Sequence, residues 1–424
     1  MKKIIIAIIV VVLFFVGLLY WSVTSTTKVF ETSKLKNFDT IEEVDFTQHD
    51  SISLSASTLY EGNYIKTLMQ GEQYRKAWAA EIDVPVVFLD TLFGGMKILE
   101  EGGGNQTHSL KLEAPDGIIY TLRSINKDPE PLIPDYLKTL GLENIVVDGI
   151  SAQHPYGALL AAKLSDAVGI LHTHPKIVFI PKQDLLEQYN EKYGNRLYLL
   201  EYETEGEVNW TNIENVYEIL DTEDLQELKQ KHPEKVSIDI NALVRARLFD
   251  LIIGDWDRHT KQWGWVVTKN NDRYKAIPLA ADRDNAFFNL DGIVPSIISN
   301  EHVEESLRPF EDDIDYMPGL VYPFDRYFLW DVIEDVFINE AKKIQQLLSD
   351  EVINESLKVW PTVIAELDGK EIVAKIKNRR DDLILYAREF QKTIKEKGLV
   401  SEPLKGSEDA EISKALIKCF ECMD

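Results

Sequence analysis

The sequence predicts an α+β protein of two lobes, a β-rich first lobe and a mainly helical second, behind an N-terminal transmembrane helix. Three observations carry this expectation. Residues 4–21 form an unbroken apolar run after Lys2 and Lys3, about the ~20 residues a membrane-spanning helix needs. Between residues 96 and 125, short apolar segments are interrupted by a glycine run and a Pro-Asp-Gly turn, the signature of strands. From Asp221 onward helical patterns dominate, over 223–231, 240–253, 330–348, 350–360 and an amphipathic stretch at 369–397.

The elements follow in chain order. Residues 1–21 read as a membrane anchor rather than a cleavable signal sequence, because the segment from Ser22 to Thr27 has no small-x-small cleavage site. Lys28, Lys34 and Lys36 follow the span and weaken the charge asymmetry that sets topology; the body is expected outside the cytoplasm, in a bacterial envelope. Residues 22–57 are polar and acidic and read as a stalk, with Phe46 docking onto the body. Residues 58–182 make the β-rich lobe, 183–397 the helical lobe, and 398–424 a loosely attached tail. Segments 177–181 and 197–202 are candidate hinge strands around a helical 183–193.

Composition limits the partners. At 424 residues and 45% hydrophobic content the chain can build two cores. A net charge of −25 excludes general nucleic-acid binding and disfavours adhesion to anionic lipid. Positive charge must be local, and Arg123, Lys127 and Arg258 are the candidates.

The chemistry concentrates in two loops, Gly254-Asp255-Trp256-Asp257-Arg258-His259 and Asp282-Arg283-Asp284-Asn285. They stand at the two ends of a predicted β-hairpin, strands 263–268 and 274–279 around an Asn/Asp-rich turn. Phosphoryl transfer uses such a layout: a loop Asp that orients the acceptor hydroxyl, a nearby amide for metal, and a second Asp after a hairpin for the metal bridging the phosphates. Asp257 is the candidate catalytic residue, His259 orients its loop, and Gln262 occupies the position five residues after Asp257 where an Asn is usual. Asp284 is the candidate metal ligand and Asp282 the second choice, since alternate residues of a strand share a face. The bland alternative is a structural ion-pair network of Asp255, Asp257 and Arg258.

Upstream, Gly102, Gly103 and Gly104, followed by Gln106, form a loop whose amides can approach phosphate because no Cβ intervenes. Strand 118–125 carries Arg123, with Lys127 just after it, where a phosphate-holding base is expected. The helix at 156–168 should bring a Glu to that base and has none; Asp166, Glu143 and Asp148 are the available substitutes.

These motifs, with Tyr74-Arg75, Trp78 and Arg379-Arg380-Asp381, resemble a Bacteroidetes envelope family in which the region is often fused to a calcineurin-like phosphoesterase; no such fusion is visible here. More distantly the layout resembles atypical kinases of the HipA, spore-coat and secretory-pathway types. That resemblance implies a bilobal protein-kinase-like fold, ATP or another nucleotide with Mg or Mn, and a protein, lipid or glycan acceptor. A pseudokinase-type scaffold and a metal-dependent hydrolase are the competing classes. Cys419 and Cys422 read as a terminal dithiol or strained disulfide, and His172 and His174 as structural residues without a nearby third ligand.

Overall fold

The computed structural model describes residues 1–26, 32–35, 41–103 and 107–422, and among them the α+β expectation holds. Helix α1 (Lys2–Ser22) is long and apolar enough to cross a membrane. It does not lead into a stalk. Ser22, Val23 and Thr26 are buried in the body; Ser22 Oγ accepts from Gln70 Nε2 at 2.9 Å and Thr26 Oγ1 donates to Asp148 at 3.2 Å. Strand β1 (Lys34–Leu35) pairs with β2 (Ser51–Ser55), and β2 with β3 (Glu81–Pro85), in an antiparallel sheet. Val23, Phe46, Ile52 and Leu54 are buried, and removing that apolar surface from water holds the segment down.

The second sheet roofs the site. Strands β4 (Lys97–Gly102), β5 (Ser109–Glu113), β6 (Ile119–Ser124), β7 (Lys176–Ile180) and β8 (Arg196–Tyr202) lie in the antiparallel order β4-β5-β6-β8-β7. The sheet therefore runs past residue 182, and both expected hinge strands belong to it. Its two faces follow from the period-two alternation of strands. Leu110, Leu112, Tyr120, Leu122, Val178, Ile180, Tyr198 and Leu200 fill one core, while Thr121, Arg123, Leu199 and Glu201 occupy the opposite face. Helices α2 (Tyr64–Gln70) and α3 (Arg75–Ala79) fall between β2 and β3 in the chain, and α4 (Asp135–Leu140), α5 (Asn144–Gly149) and α6 (Gly157–Val168) between β6 and β7. Helix α6 packs on the second-lobe helices Glu334–Leu347 and Asp350–Ser356.

After α7 (Asn190–Tyr193), the second lobe has its own sheet of β9 (Val216–Leu220), β10 (Val236–Ile238), β11 (Trp263–Asn270) and β12 (Arg273–Ala280), ordered β10-β12-β11-β9. Between β9 and β10 lies α8 (Thr222–Lys231), and between β10 and β11 lies α9 (Ile240–Ile253), buried almost throughout. Asp239 caps α9, accepting from the Ala242 amide at 3.0 Å, and Gly254 ends it at φ +64°. A Cβ on Gly254 would come within 2.5 Å of the Phe310 ring, so both backbone and packing require glycine there. The 369–397 stretch is two helices, Lys370–Asp381 and Leu383–Lys397.

The tail is docked rather than loose. Val400, Leu404, Leu416 and Phe420 are buried, Ser407 Oγ donates to Gln226 on α8 at 2.8 Å, and the Phe420 ring packs on Tyr327 and Phe328. Cys419 and Cys422 form a disulfide. A short helix, Lys414–Lys418, precedes them.

Candidate functional site

The β11–β12 pairing, with Trp263 opposite Ala280, brings the two ends of the hairpin together. The Ala281 amide donates to the Gln262 carbonyl at 3.1 Å, and Arg258 donates to the carbonyls of Ala281 and Gln262 at 2.7 and 3.3 Å. Asp257 and Asp284 thereby come close enough for their charges to interact. Arg123 reaches down from β6: its Nη1 lies 3.0 Å from Asp282 and its Nε 3.3 Å from Glu201 on β8. Lys127 ion-pairs with Asp284 and donates to Thr107 Oγ1 at 2.9 Å.

The base on the strand thus has its glutamate, supplied from β8 rather than from a helix. Glu201 also accepts from Thr173 Oγ1 at 2.9 Å, and burial raises its carboxyl pKa against the pull of Arg123. Two of the substitutes expected from sequence, Asp148 and Asp166, are engaged elsewhere. Asp148 pairs with Arg75 at 2.6 Å and Lys66 at 3.0 Å, and Asp166 with His172 at 3.0 Å. Glu201 was readable as a charged residue in an apolar strand, but its partner lies 78 positions away.

Asp282 is not on a strand face. It follows the end of β12 with φ +49°, so Asp282 and Asp284 enter the site from a turned loop, each on a different base. Burial works to raise the Asp282 pKa, but Arg123 and Lys127 outweigh it and hold the carboxyl below its usual range. Asp284 is raised, by burial and by the neighbouring Asp282 charge. Asn285 Nδ2 donates to Asp284 at 3.2 Å and in turn accepts from Gln153 Nε2 at 2.7 Å, a positioning pair that sequence reading missed.

Asp257 faces this cluster, and burial together with Asp282 and Asp284 pushes its pKa up to about 6. His259 Nε2 stands 3.8 Å from Asp257 and 3.4 Å from Gln262 Nε2. Burial, with Lys405 from the docked tail, lowers the imidazole to about 4, so His259 is neutral at physiological pH. Arg258, expected as local positive charge for a ligand, is fully buried, pairing with Asp250 at 3.2 Å and lying over the Trp263 ring at 4.6 Å. Asp255 is buried beside it, 3.6 Å away. The structural network therefore accounts for Asp255 and Arg258 but leaves Asp257 outside it.

The remaining motif residues are structural. Tyr74 donates to the Phe287 carbonyl, Trp78 Nε1 to the Gln153 carbonyl at 2.9 Å, and Arg379 to four carbonyls including Leu251 at 2.9 Å. Gly102 ends β4, and Gly103 follows at φ +88° with Thr107 carbonyl oxygen 1.8 Å from where a Cβ would sit. Gly104 and Gln106 lie outside the described residues. His172 and His174 do have a third group nearby, Asp166. However, His172 Nδ1 accepts the His174 amide at 3.1 Å, which leaves the ring proton on Nε2, directed at Asp166. Both ring nitrogens are thus committed within the fold.

The donor set suits a divalent ion with phosphate. The carboxylates Glu201, Asp257, Asp282 and Asp284 gather with Arg123 and Lys127, with Lys405 and Arg258 also acting on Asp257, and Asp282 Oδ1 is a buried oxygen with no hydrogen-bond partner among the described residues. Such hard oxygen donors are the kind that hold hard divalent cations.

No protein family and no curated protein matches this chain. Among solved structures it is similar to the proinflammatory kinase CtkA of Helicobacter pylori, at 13% identity over 70% of this chain and 96% of that one with a TM-score of 0.35. It is also similar to the HipA–HipB toxin–antitoxin complex with operator DNA from Shewanella oneidensis MR-1, at 12% identity over 76% of this chain and 70% of that one with a TM-score of 0.31.

Proposed function

We propose that this protein is a membrane-anchored, kinase-like phosphotransferase that uses a metal-bound nucleotide. The observation that carries the proposal is the paired arrangement of Arg123 with Asp282 and Lys127 with Asp284 beside a carboxylate, Asp257, whose pKa stands at about 6. The metal would be held by Asp284 and Asp282 with Gln262, and would supply charge neutralisation at the phosphates. Arg123 and Lys127 would then exchange carboxylate partners for phosphate oxygens, with Glu201 keeping Arg123 in place. Asp257 orients the acceptor hydroxyl and takes its proton, a role suited to a group titrating near working pH. Neutral His259 keeps a second positive charge away from that carboxylate.

The acceptor class remains a protein, lipid or glycan. The disulfide Cys419–Cys422 supports a body in an oxidising, extracytoplasmic compartment; there the donor would have to be a nucleotide available outside the cytoplasm.

The test is a thermal-shift series on the detergent-solubilised full chain, with ATP, with Mg or Mn, and with both. ATP should raise Tm only with metal present, by about 2.7 kcal/mol of stabilisation at a hundredfold excess over Kd. Asp284→Asn should abolish that shift; an unchanged metal-dependent shift in the variant would remove Asp284 from the site. Binding without turnover would move the protein to the scaffold class.

A further inference from the structure

Helix α1 has no tether. Its last residue, Ser22, is already buried against α2, and Leu18 and Leu19 one turn earlier are partly covered. Asn144 of α5 donates to the Val23 carbonyl at 3.4 Å, and Tyr20 donates to the Leu140 carbonyl at the end of α4 at 2.6 Å. If α1 crosses a bilayer, the surface surrounding Ser22 must therefore lie on that bilayer.

That surface exposes apolar side chains from three helices, with Asp135, Lys138 and Thr139 of α4 exposed beside them. On α2, Lys66, Met69 and Gln70 point inward while Tyr64 and Leu68 are exposed, Tyr64 at 77%. On α4, Tyr136 and Leu140 are exposed. The helix Ile293–Ile298 packs against α2; it contains no charged residue and exposes Ile293, Ile297 and Ile298. The join is tight: Asp291 accepts from the Glu72 and Gln73 amides at 2.9 Å, and a Cβ on Gly292 would meet the Gly71 nitrogen at 2.3 Å. Tyr20 and Trp21, both exposed, stand at the end of the span, where aromatic side chains favour the headgroup level.

We propose that α2, α4 and the Ile293–Ile298 helix form a membrane-contacting face that rests on the bilayer crossed by α1. The attraction is apolar: exposed aliphatic and Tyr side chains enter the boundary between headgroups and acyl chains, as the apolar faces of interfacial helices do. A chain of net charge −25 gains nothing from anionic headgroups. Because the segment from Asp284 runs directly into this face, the metal-binding loop is held at a fixed height and orientation over the membrane.

The proposal rests on the anchor reading, and the test separates the two. Full-length protein is reconstituted in phosphatidylethanolamine–phosphatidylglycerol vesicles with a single nitroxide at Ile297→Cys, Tyr64→Cys, Val12→Cys or Leu385→Cys; the disulfide-bonded pair takes no label. Leu385, 61% exposed on a second-lobe helix, is the aqueous reference. Labels at 297 and 64 should be several-fold less accessible to a water-soluble nickel complex than the label at 385, and more accessible to oxygen. If 297 and 64 match 385 while 12 is shielded, the membrane face is refuted and the anchor stands. If 12 also matches 385, the anchor fails and the face with it.

Discussion

Asp257→Asn is expected to give a protein that is more stable at neutral pH and inactive. The Asp257 pKa is raised from 3.8 to about 6 by burial and by Asp282 and Asp284. A raised carboxyl contributes stability that is fully present below its unfolded value and lost as pH rises through its folded value. At pH 7 the native state therefore carries an unfavourable charge. The full shift corresponds to about 3 kcal/mol, and with 27% of the side chain exposed roughly 1–2 kcal/mol survives solvent screening. Removing the charge should recover it. Loss of a positioned base lowers rate by roughly 10²- to 10⁴-fold, while nucleotide binding through Arg123 and metal persists. Denaturation midpoints from pH 4 to 8, beside turnover of parent and variant, measure both. The stability gain should grow as pH rises through about 6 and shrink when metal is added. A variant that is destabilised at pH 7 would return Asp257 to a structural role.

Asp250→Ala should have the largest effect on folding. Asp250 is fully buried and accepts from Arg247 at 2.9 Å, Arg258 at 3.2 Å and Arg283 at 2.9 Å. Burial acts to raise its pKa, yet the three guanidiniums hold it below the usual carboxylate range. Arg247 keeps Asp325, at 2.6 Å, and Arg283 keeps Ser165 on α6, also at 2.6 Å. Arg258 would keep the Ala281 and Gln262 carbonyls, but its remaining carboxylate among the described residues would be Asp255, 3.6 Å away. Leaving buried charge uncompensated typically costs about 3–5 kcal/mol, a large part of a native protein's total stability of roughly 5–15 kcal/mol. Urea denaturation should show a midpoint shifted by that amount, or no folded protein. Because Arg258 and Arg283 tie both site loops to α9, Asp250→Asn should lose metal-dependent nucleotide binding even where it folds. A variant within 1 kcal/mol of the parent would contradict the hub.

Much of the fold was legible because hydrophobic period and punctuation are local. Helix α9 was read at its observed bounds, 240–253, and the β11–β12 hairpin from its two aromatic-rich runs around an Asn/Asp turn, in which Asn271 adopts φ +56°. The segment 22–57 was read as a stalk with Phe46 docking, because scattered polar residues conceal that Ile52 and Leu54 join the same core as Phe46. The tail was misread for the same reason: Leu404, Ser407 and Phe420 are anchored by α8 and residues near Tyr327, far away in sequence.

By itself the sequence determined where the candidate site residues stand along the chain. Clustered carboxylates on two loops flanking a hairpin, and bases on and just after a strand, are fixed by residue type and by the short reach of local structure. Only the tertiary structure decided how those charges are shared. It paired Arg123 with Glu201 and Asp282, Lys127 with Asp284, and Arg258 with Asp250. It also left Asp257 as the carboxylate facing the cluster. The reason is that pairing of charges depends on distances of a few ångströms between segments far apart in the chain, and burial then sets the strength of each interaction. Neither quantity is encoded in local spacing.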